Sequence, residues 1–175
     1  MNLRFGAIMT LILSAVVIRL TMSGVPNVSP MAALALFSGA YLADRKLALL
    51  VPVVAMLLGD LVLGLHNIML FTYGAFILIA LIGVFISSRV CGHIVIAASL
   101  GSSALFFLVS NFGVWMVSGY YPMTPEGLLM SYTAAIPFFQ MTLMGDLFFV
   151  GLFFGLFMVL EHFLPSIRRP VSQSM

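Results

Sequence analysis

Long apolar segments separated by short polar stretches occupy almost the whole chain. A membrane-spanning helix needs roughly 20 mostly apolar residues, within a range of about 17–25. Six segments meet or approach this length, and they run from about 5–22, 30–43, 47–65, 68–87, 94–117 and 138–164. The pattern predicts an all-α fold, a polytopic membrane bundle of six transmembrane helices that forms a single domain over residues 1–175.

A short additional helix is predicted between the fifth and sixth segments. Thr124-Pro125-Glu126 is typical of a helix start, with Thr124 as N-cap and proline at the first helical position. Pro137 is expected to end this helix, because a proline inside a helix removes a backbone hydrogen bond.

Composition supports a chain solvated by lipid. Of the 175 residues, 63% are hydrophobic and 7% are charged, and the mean hydropathy is +1.23. Soluble domains carry about 25% charged residues, so a cytosolic enzyme, a nucleic-acid-binding protein with a basic face and a disordered tail are all excluded. The single cysteine excludes a disulfide framework and a multi-cysteine metal site.

The basic residues predict the orientation in the membrane. Cytoplasmic loops carry an excess of Lys and Arg, and an N-terminus inside leaves only Arg19 on the outer side. Arg19 directly after the first apolar segment, without an Ala-x-Ala site, also favours retention of that segment over cleavage as a signal peptide. Both termini are therefore expected in the cytoplasm, together with Arg4, Arg45, Lys46, Arg89, Arg168 and Arg169.

Five polar side chains within or at the ends of the apolar segments fall in the predicted outer half of the bundle. They are Arg19, Asp60, His66, Asn111 and Asp146. An ionisable group at the bilayer centre costs at least about 2.5–3.5 kcal/mol, so each needs a partner or a function. Aromatic residues accompany them, and a concave site with aromatic walls and a few polar groups is the usual form of a ligand pocket. The candidate substrate-binding residues are Asn27, Asp60, His66, Asn111, Trp115, Tyr121 and Asp146.

Each of these residues also has a purely structural interpretation. Trp and Tyr serve as anchors at membrane interfaces, Asp60 could pair with Arg19, and Asn111 could donate a hydrogen bond between helices. Asp146 is the hardest to explain in this way, because a carboxylate so deep in the bilayer has no water to solvate it.

Two stripes of small residues predict close helix contacts. Gly6, Thr10 and Ser14 in the first segment, and Ala35, Gly39 and Ala43 in the second, recur at a spacing of four. They could pack on each other or form a docking face for another membrane protein.

Five further stretches together resemble an uncharacterised bacterial family of small six-helix membrane proteins over about residues 19–155. That family in turn resembles the substrate-binding (S) components of energy-coupling-factor vitamin transporters. The stretches that carry the resemblance are 27–41, 111–115, 121–124, 135–139 and 145–147.

The S-component resemblance implies a site and partners. S components bind a vitamin or related micronutrient at the outer face through the loops after helices one, three and five, here 20–29, 64–67 and 118–126. They dock onto a membrane coupling subunit driven by two ATPases. Their Ala-x-x-x-Ala docking motif is replaced here by Gly6-x-x-x-Thr10-x-x-x-Ser14, so this chain departs from the docking pattern.

The leading hypothesis is a bacterial inner-membrane protein that captures a small vitamin-like solute for transport. Two acids, Asp60 and Asp146, against Arg19 slightly favour a neutral or cationic ligand. The sequence contains no Gly-x-Ser-x-Gly, no His-Glu-x-x-His, no phosphate-binding glycine loop and no Asp-rich metal motif. We therefore expect no enzyme activity, no cofactor, no metal and no nucleic-acid partner. A non-transport scaffold of a cell-envelope assembly, and an intramembrane enzyme using Asp60, Asp146 and His66, are the alternatives.

Overall fold

Six α-helices and one short 3-10 turn make up the part of the chain that the structure describes. The computed structural model describes residues 3–22 and 24–167, and within them it contains no strand. The all-α fold is therefore confirmed for these residues, while Arg168 and Arg169 lie outside them. The helices are α1 (Leu3–Thr21), α2 (Met31–Tyr41), α3 (Arg45–Leu63), α4 (Met69–Ile86), α5 (Gly92–Val117) and α6 (Pro125–Phe163), followed by the turn Pro165–Ile167.

Five of the six helices are long and apolar enough to cross a membrane, and α2 is the exception. α2 has 11 residues, which at 1.5 Å per residue is about 16 Å, against a hydrocarbon core of about 30 Å. The second predicted segment, 30–43, is therefore observed as the shorter helix Met31–Tyr41, and the chain is already extended at Leu42. All eleven residues of α2 are buried, which is typical of a helix that is apolar on every side.

The chain crosses the bundle between α1 and α3 partly without helical structure. Val28 packs against Gly145, near the middle of α6, whereas Tyr41 at the other end of α2 lies under the Arg4 guanidinium at 5.9 Å. Residues 24–30 therefore enter the bundle without helical structure, and α2 continues the crossing from there. We call residues 24–30 the re-entrant loop. Non-helical backbone at membrane depth is tolerated where it is buried in protein or lines a cavity.

The closest helix contact joins α2 to α4. A Cβ added to Gly39 would overlap the Ala80 carbonyl oxygen, and one added to Gly83 would overlap the Leu36 carbonyl oxygen. The small-residue stripe of the second segment thus packs on α4 through Gly39, whereas Thr10 of the first stripe is exposed and donates to the carbonyl of its own helix.

α6 is one continuous helix of 39 residues, with Pro137 in its interior. Thr124 accepts a hydrogen bond from the Gly127 amide at 3.2 Å, which confirms the predicted N-cap. The predicted end at Pro137 was wrong: a single lost backbone bond is tolerated inside apolar transmembrane helices. The stretch before Pro137 packs on the end of α5, where Ser131 donates to the Asn111 carbonyl at 3.0 Å and Tyr132 to the Leu108 carbonyl at 2.9 Å.

Aromatic rings close the end of the bundle where α2 finishes. The Phe37 ring contacts Phe154 and Phe157 edge to face, with centroids 5.4 and 5.5 Å apart. Arg4 donates to Glu161 at 2.8 Å and to the Ile167 carbonyl at 2.6 Å above this cluster. We call this end of the bundle the basic end, because Arg4, Arg45, Lys46 and Arg89 lie there. We call the opposite end, at which α1, α3 and α5 finish, the cavity end.

Candidate functional site

A buried ion pair ties three helices together at the cavity end. Arg19 of α1 donates from Nη2 to Oδ1 of Asp60 in α3 at 2.5 Å, and the Tyr73 hydroxyl of α4 donates to Oδ2 at 2.8 Å. The Nδ1 atom of His66 lies 3.8 Å from the same Oδ2. Asp60 is only 2% exposed, so its charge depends on Arg19 for compensation.

Gly59 allows this pair to form. A Cβ at Gly59 would overlap Nε of Arg19 and would lie 3.0 Å from its Cδ, so the arginine side chain lies directly against the α3 backbone. Asp60 is predicted from sequence as a binding residue, but the structure places it behind Arg19, where it lines neither of the cavities described below.

A first cavity of about 240 Å³ lies beside the ion pair. Its polar lining comes from α1, the re-entrant loop, the α3–α4 connection, α4 and α6, and its apolar lining includes Phe76 and Phe106. Side chains from five parts of the chain therefore converge on one space. The main polar residues are Arg19, Asn27, Ser29, His66, Thr72 and Asp146.

A second cavity of about 280 Å³ adjoins the first between α5 and α6. Asn111 and Ser110 line it from α5, and Phe138 and Phe139 line it from α6. Four residues line both cavities, so the two spaces are adjacent parts of one site: Asn27, Thr72, Phe106 and Thr142.

The re-entrant loop holds Asn27 at the junction of the two cavities. Asn27 has a φ of 59°, the only positive φ of a non-glycine residue in the described chain. Asparagine adopts this left-handed conformation more readily than most residues. The neighbouring Val28 packs on Gly145, so the loop is fixed against α6 directly beside Asp146.

Asp146 is the one carboxylate that lines the first cavity. It is 5% exposed, and its Oδ2 accepts a hydrogen bond from the Ser103 hydroxyl of α5 at 2.7 Å. Within residues 3–22 and 24–167, no basic nitrogen lies within 4.0 Å of it. Asp60 is therefore paired with a positive charge, that of Arg19, whereas Asp146 faces the first cavity.

The seven predicted site residues divide into two groups. Asn27, His66, Asn111 and Asp146 line the joined cavities. Asp60, Trp115 and Tyr121 line neither cavity. The Trp115 indole donates to the Pro122 carbonyl at 2.9 Å and so fixes the turn between α5 and α6.

Hydroxyl residues complete the site without having been predicted. Thr72 accepts or donates a hydrogen bond with Nε2 of His66 at 3.2 Å, and Thr142 lines both cavities one turn before Asp146. Threonine and serine are common in membrane helices as packing residues, so their presence alone gave no signal of a site. The signal available in the sequence was position: Thr142 precedes Asp146 by one helical turn, and Thr72 follows His66 by six residues.

These features define a class: a polytopic α-helical membrane protein with a half-length buried helix and a polar-lined cavity at one end. The chain belongs to a family of unknown function, DUF6580, whose model matches residues 1–167. No curated protein and no solved structure matches the chain.

Proposed function

We propose that this protein captures a small vitamin-like solute in the joined cavities and passes it across the bacterial inner membrane. The observation that carries the proposal is the re-entrant loop with the buried half-helix α2, which opens a polar-lined space inside an otherwise apolar bundle. A scaffold that needs only helix packing has no use for such a space, since filling it with apolar side chains would be more stable.

The size and lining of the cavities support a small solute with a ring or another flat apolar part. Ligand pockets commonly measure about 300–1,000 Å³ and combine aromatic walls with a few polar groups. Phe76, Phe106 and Phe139 supply the walls here, and Asn27, Asn111 and Asp146 supply hydrogen-bonding groups.

The distribution of charge favours a neutral or cationic solute. Asp60 is compensated by Arg19, so these two charges cancel locally. Asp146 is left as the carboxylate facing the first cavity. A ligand carrying an amine or an aromatic cation would supply the missing counter-charge.

The S-component resemblance is part of the proposal. Two of the three loops that such components use, the one after α1 and the one after α3, contribute Asn27 and His66 to the cavity lining. We propose binding from outside, closure of these loops and release towards the cytoplasm, with energy from a coupling subunit and its ATPases. We rank the alternative enzyme hypothesis below this one, because Asp146 lines the first cavity whereas Asp60 lines neither cavity, so the two carboxylates do not share the described space.

Filling the second cavity should abolish solute binding. Ala135 lines that cavity, so the ring in Ala135→Phe would occupy it. A ligand at about 100 times its Kd stabilises a protein by about 2.7 kcal/mol, which corresponds to a rise of about 5–11 °C in Tm. We expect a B-group vitamin to raise the Tm of the purified wild-type protein by such an amount, and Ala135→Phe to lose the rise.

The matched control is Ala134→Phe, which adds the same ring one residue earlier at an exposed position. This variant should keep the ligand-induced rise in Tm. The proposal fails if no vitamin in the panel raises the wild-type Tm, or if the two phenylalanine variants reduce the rise equally.

The proposed orientation, with both termini and the basic end in the cytoplasm, can be tested with Cys91, the single cysteine of the chain. Cys91 lies at the start of α5, on the basic end. In intact spheroplasts we expect a membrane-permeant maleimide to label Cys91 and an impermeant maleimide to leave it unlabelled.

The control for this labelling moves the thiol to the cavity end. In Cys91→Ser/Tyr120→Cys, the cysteine replaces an exposed tyrosine in the turn between α5 and α6. The impermeant reagent should label this variant from outside. Labelling of wild-type Cys91 by the impermeant reagent would invert the proposed orientation.

A further inference from the structure

Three serines of α5 are buried within little more than one helical turn. Ser99, Ser102 and Ser103 are 1%, 2% and 0% exposed, respectively. Residues four apart share a helix face, so Ser99 and Ser103 are neighbours on one side of α5, and Ser102 lies beside them. We call these three residues the serine cluster.

Two hydroxyls of the serine cluster have no hydrogen-bond partner in the described part of the chain. These are Oγ of Ser99 and Oγ of Ser102. Serine in a helix usually donates to a carbonyl three or four residues earlier, as Ser110 of the same helix does to Phe106 at 2.6 Å. A buried polar atom without a partner is rare and costly, so these two oxygens are expected to serve something absent from the protein chain itself.

The serine cluster adjoins a carboxylate that needs a counter-charge. Ser103 donates to Oδ2 of Asp146 at 2.7 Å, and Oδ1 accepts no hydrogen bond from the described residues. A buried carboxylate is strongly disfavoured unless it is paired or coordinates a cation. Asp146 also lines the first cavity, which gives a route by which an ion can arrive.

We propose that Asp146 and the serine cluster form a binding site for a single Na⁺ ion. Hard cations take oxygen ligands, and here one carboxylate and the hydroxyls of Ser99, Ser102 and Ser103 supply them. One negative charge neutralises one monovalent cation, whereas Ca²⁺ sites generally use several carboxylates. A proton alone would need only Asp146 and would leave the unpartnered hydroxyls unexplained.

This ion site does not depend on the proposed solute. If the cavities do bind a solute, an ion at Asp146 would lie at their wall and its binding would be coupled to that of the solute. Na⁺ binding is therefore measured in the absence of any vitamin, so that failure of the solute proposal and failure of the ion site remain distinguishable.

The test is thermal unfolding of the purified full chain in NaCl, compared with KCl and choline chloride at equal ionic strength, together with direct binding of ²²Na⁺. We expect a saturable rise in Tm with Na⁺ alone and binding of one ²²Na⁺ per chain. Asp146→Asn should abolish both effects. Ser99→Ala should weaken Na⁺ binding by about tenfold or more, as expected when one polar ligand of a charged group is lost.

Ser99→Ala also distinguishes an ion ligand from a structural hydroxyl. Since Oγ of Ser99 makes no hydrogen bond within the described chain, its removal should leave the Tm in choline chloride unchanged or slightly higher, because an unpartnered buried hydroxyl is destabilising, while reducing the response to Na⁺. Thr133→Ala, which removes an exposed hydroxyl that lines neither cavity, is the control and should keep the full response to Na⁺. An equal rise in all three salts, or an unaltered Na⁺ response in both Ser99→Ala and Asp146→Asn, would overturn the proposal.

Discussion

Gly39→Ala is expected to be among the most destabilising single-methyl substitutions in this protein. The added Cβ would overlap the Ala80 carbonyl oxygen and would lie 2.8 Å from the Val84 amide nitrogen. Both are backbone atoms, so α2 and α4 would have to separate. Overpacking of this kind lowers the free energy of unfolding by about 3 kcal/mol at the upper end of its usual range. In thermal unfolding of the purified protein we expect the Tm to fall by about 6–12 °C.

Gly74→Ala on α4 is the control for this prediction. No atom lies within 4 Å of a Cβ at Gly74, so the substitution adds no contact with another helix. Alanine is favoured over glycine in a helix interior by about 0.8–1.0 kcal/mol, and the Tm should stay equal or rise slightly. Equal Tm values for Gly39→Ala and the wild type would show that α2 and α4 are not in such close contact.

Arg19→Met should be more damaging than removal of the whole ion pair. The substitution removes the guanidinium and leaves Asp60, 2% exposed, with the Tyr73 hydroxyl and the His66 imidazole, whose Nδ1 lies 3.8 Å away. Removing one member of a buried pair typically costs about 3–5 kcal/mol, because the other charge stays buried and uncompensated. The free energy of unfolding, measured by chemical denaturation in detergent, should fall by about this amount.

The double variant Arg19→Met/Asp60→Asn should recover most of the lost stability. The amide carbonyl introduced by Asp60→Asn would still accept the Tyr73 hydrogen bond, but the side chain would carry no charge. A double-mutant cycle over the two positions isolates the coupling between them. Additive effects of the two substitutions would mean that Arg19 and Asp60 are not paired in the folded protein.

The all-α fold and most helix positions could be predicted from the sequence, because a helix that crosses lipid must be a long apolar segment. The fifth segment, predicted at 94–117, is observed at Gly92–Val117. The second segment, predicted at 30–43, is observed at Met31–Tyr41. Its complete burial was not accessible, since a short apolar run can be a tilted span or a half-helix buried by its neighbours. Pro137 was misleading because a local rule for helix ends took no account of the packing of Ser131 and Tyr132 on α5.

The candidate site was partly predictable for a related reason. The cost of a polar group in lipid identified both Asp60 and Asp146, and their depths along the helices could be counted. Which of them is paired depends on side chains distant in sequence: Arg19 lies 41 positions from Asp60, and Ser103 lies 43 positions from Asp146. Such pairings follow from the three-dimensional arrangement of the helices, and a single sequence does not specify it.

α2 contacts all five other helices and is too short to span the hydrocarbon core. It gains no stable position in lipid before those neighbours surround it, because its unsatisfied helix ends and the re-entrant loop would face hydrocarbon. We therefore expect membrane insertion of this chain not to be sequential from N- to C-terminus. On this view the central helix takes its place last, after segments synthesised later have entered the bilayer, and the polar cavity forms only with that final step.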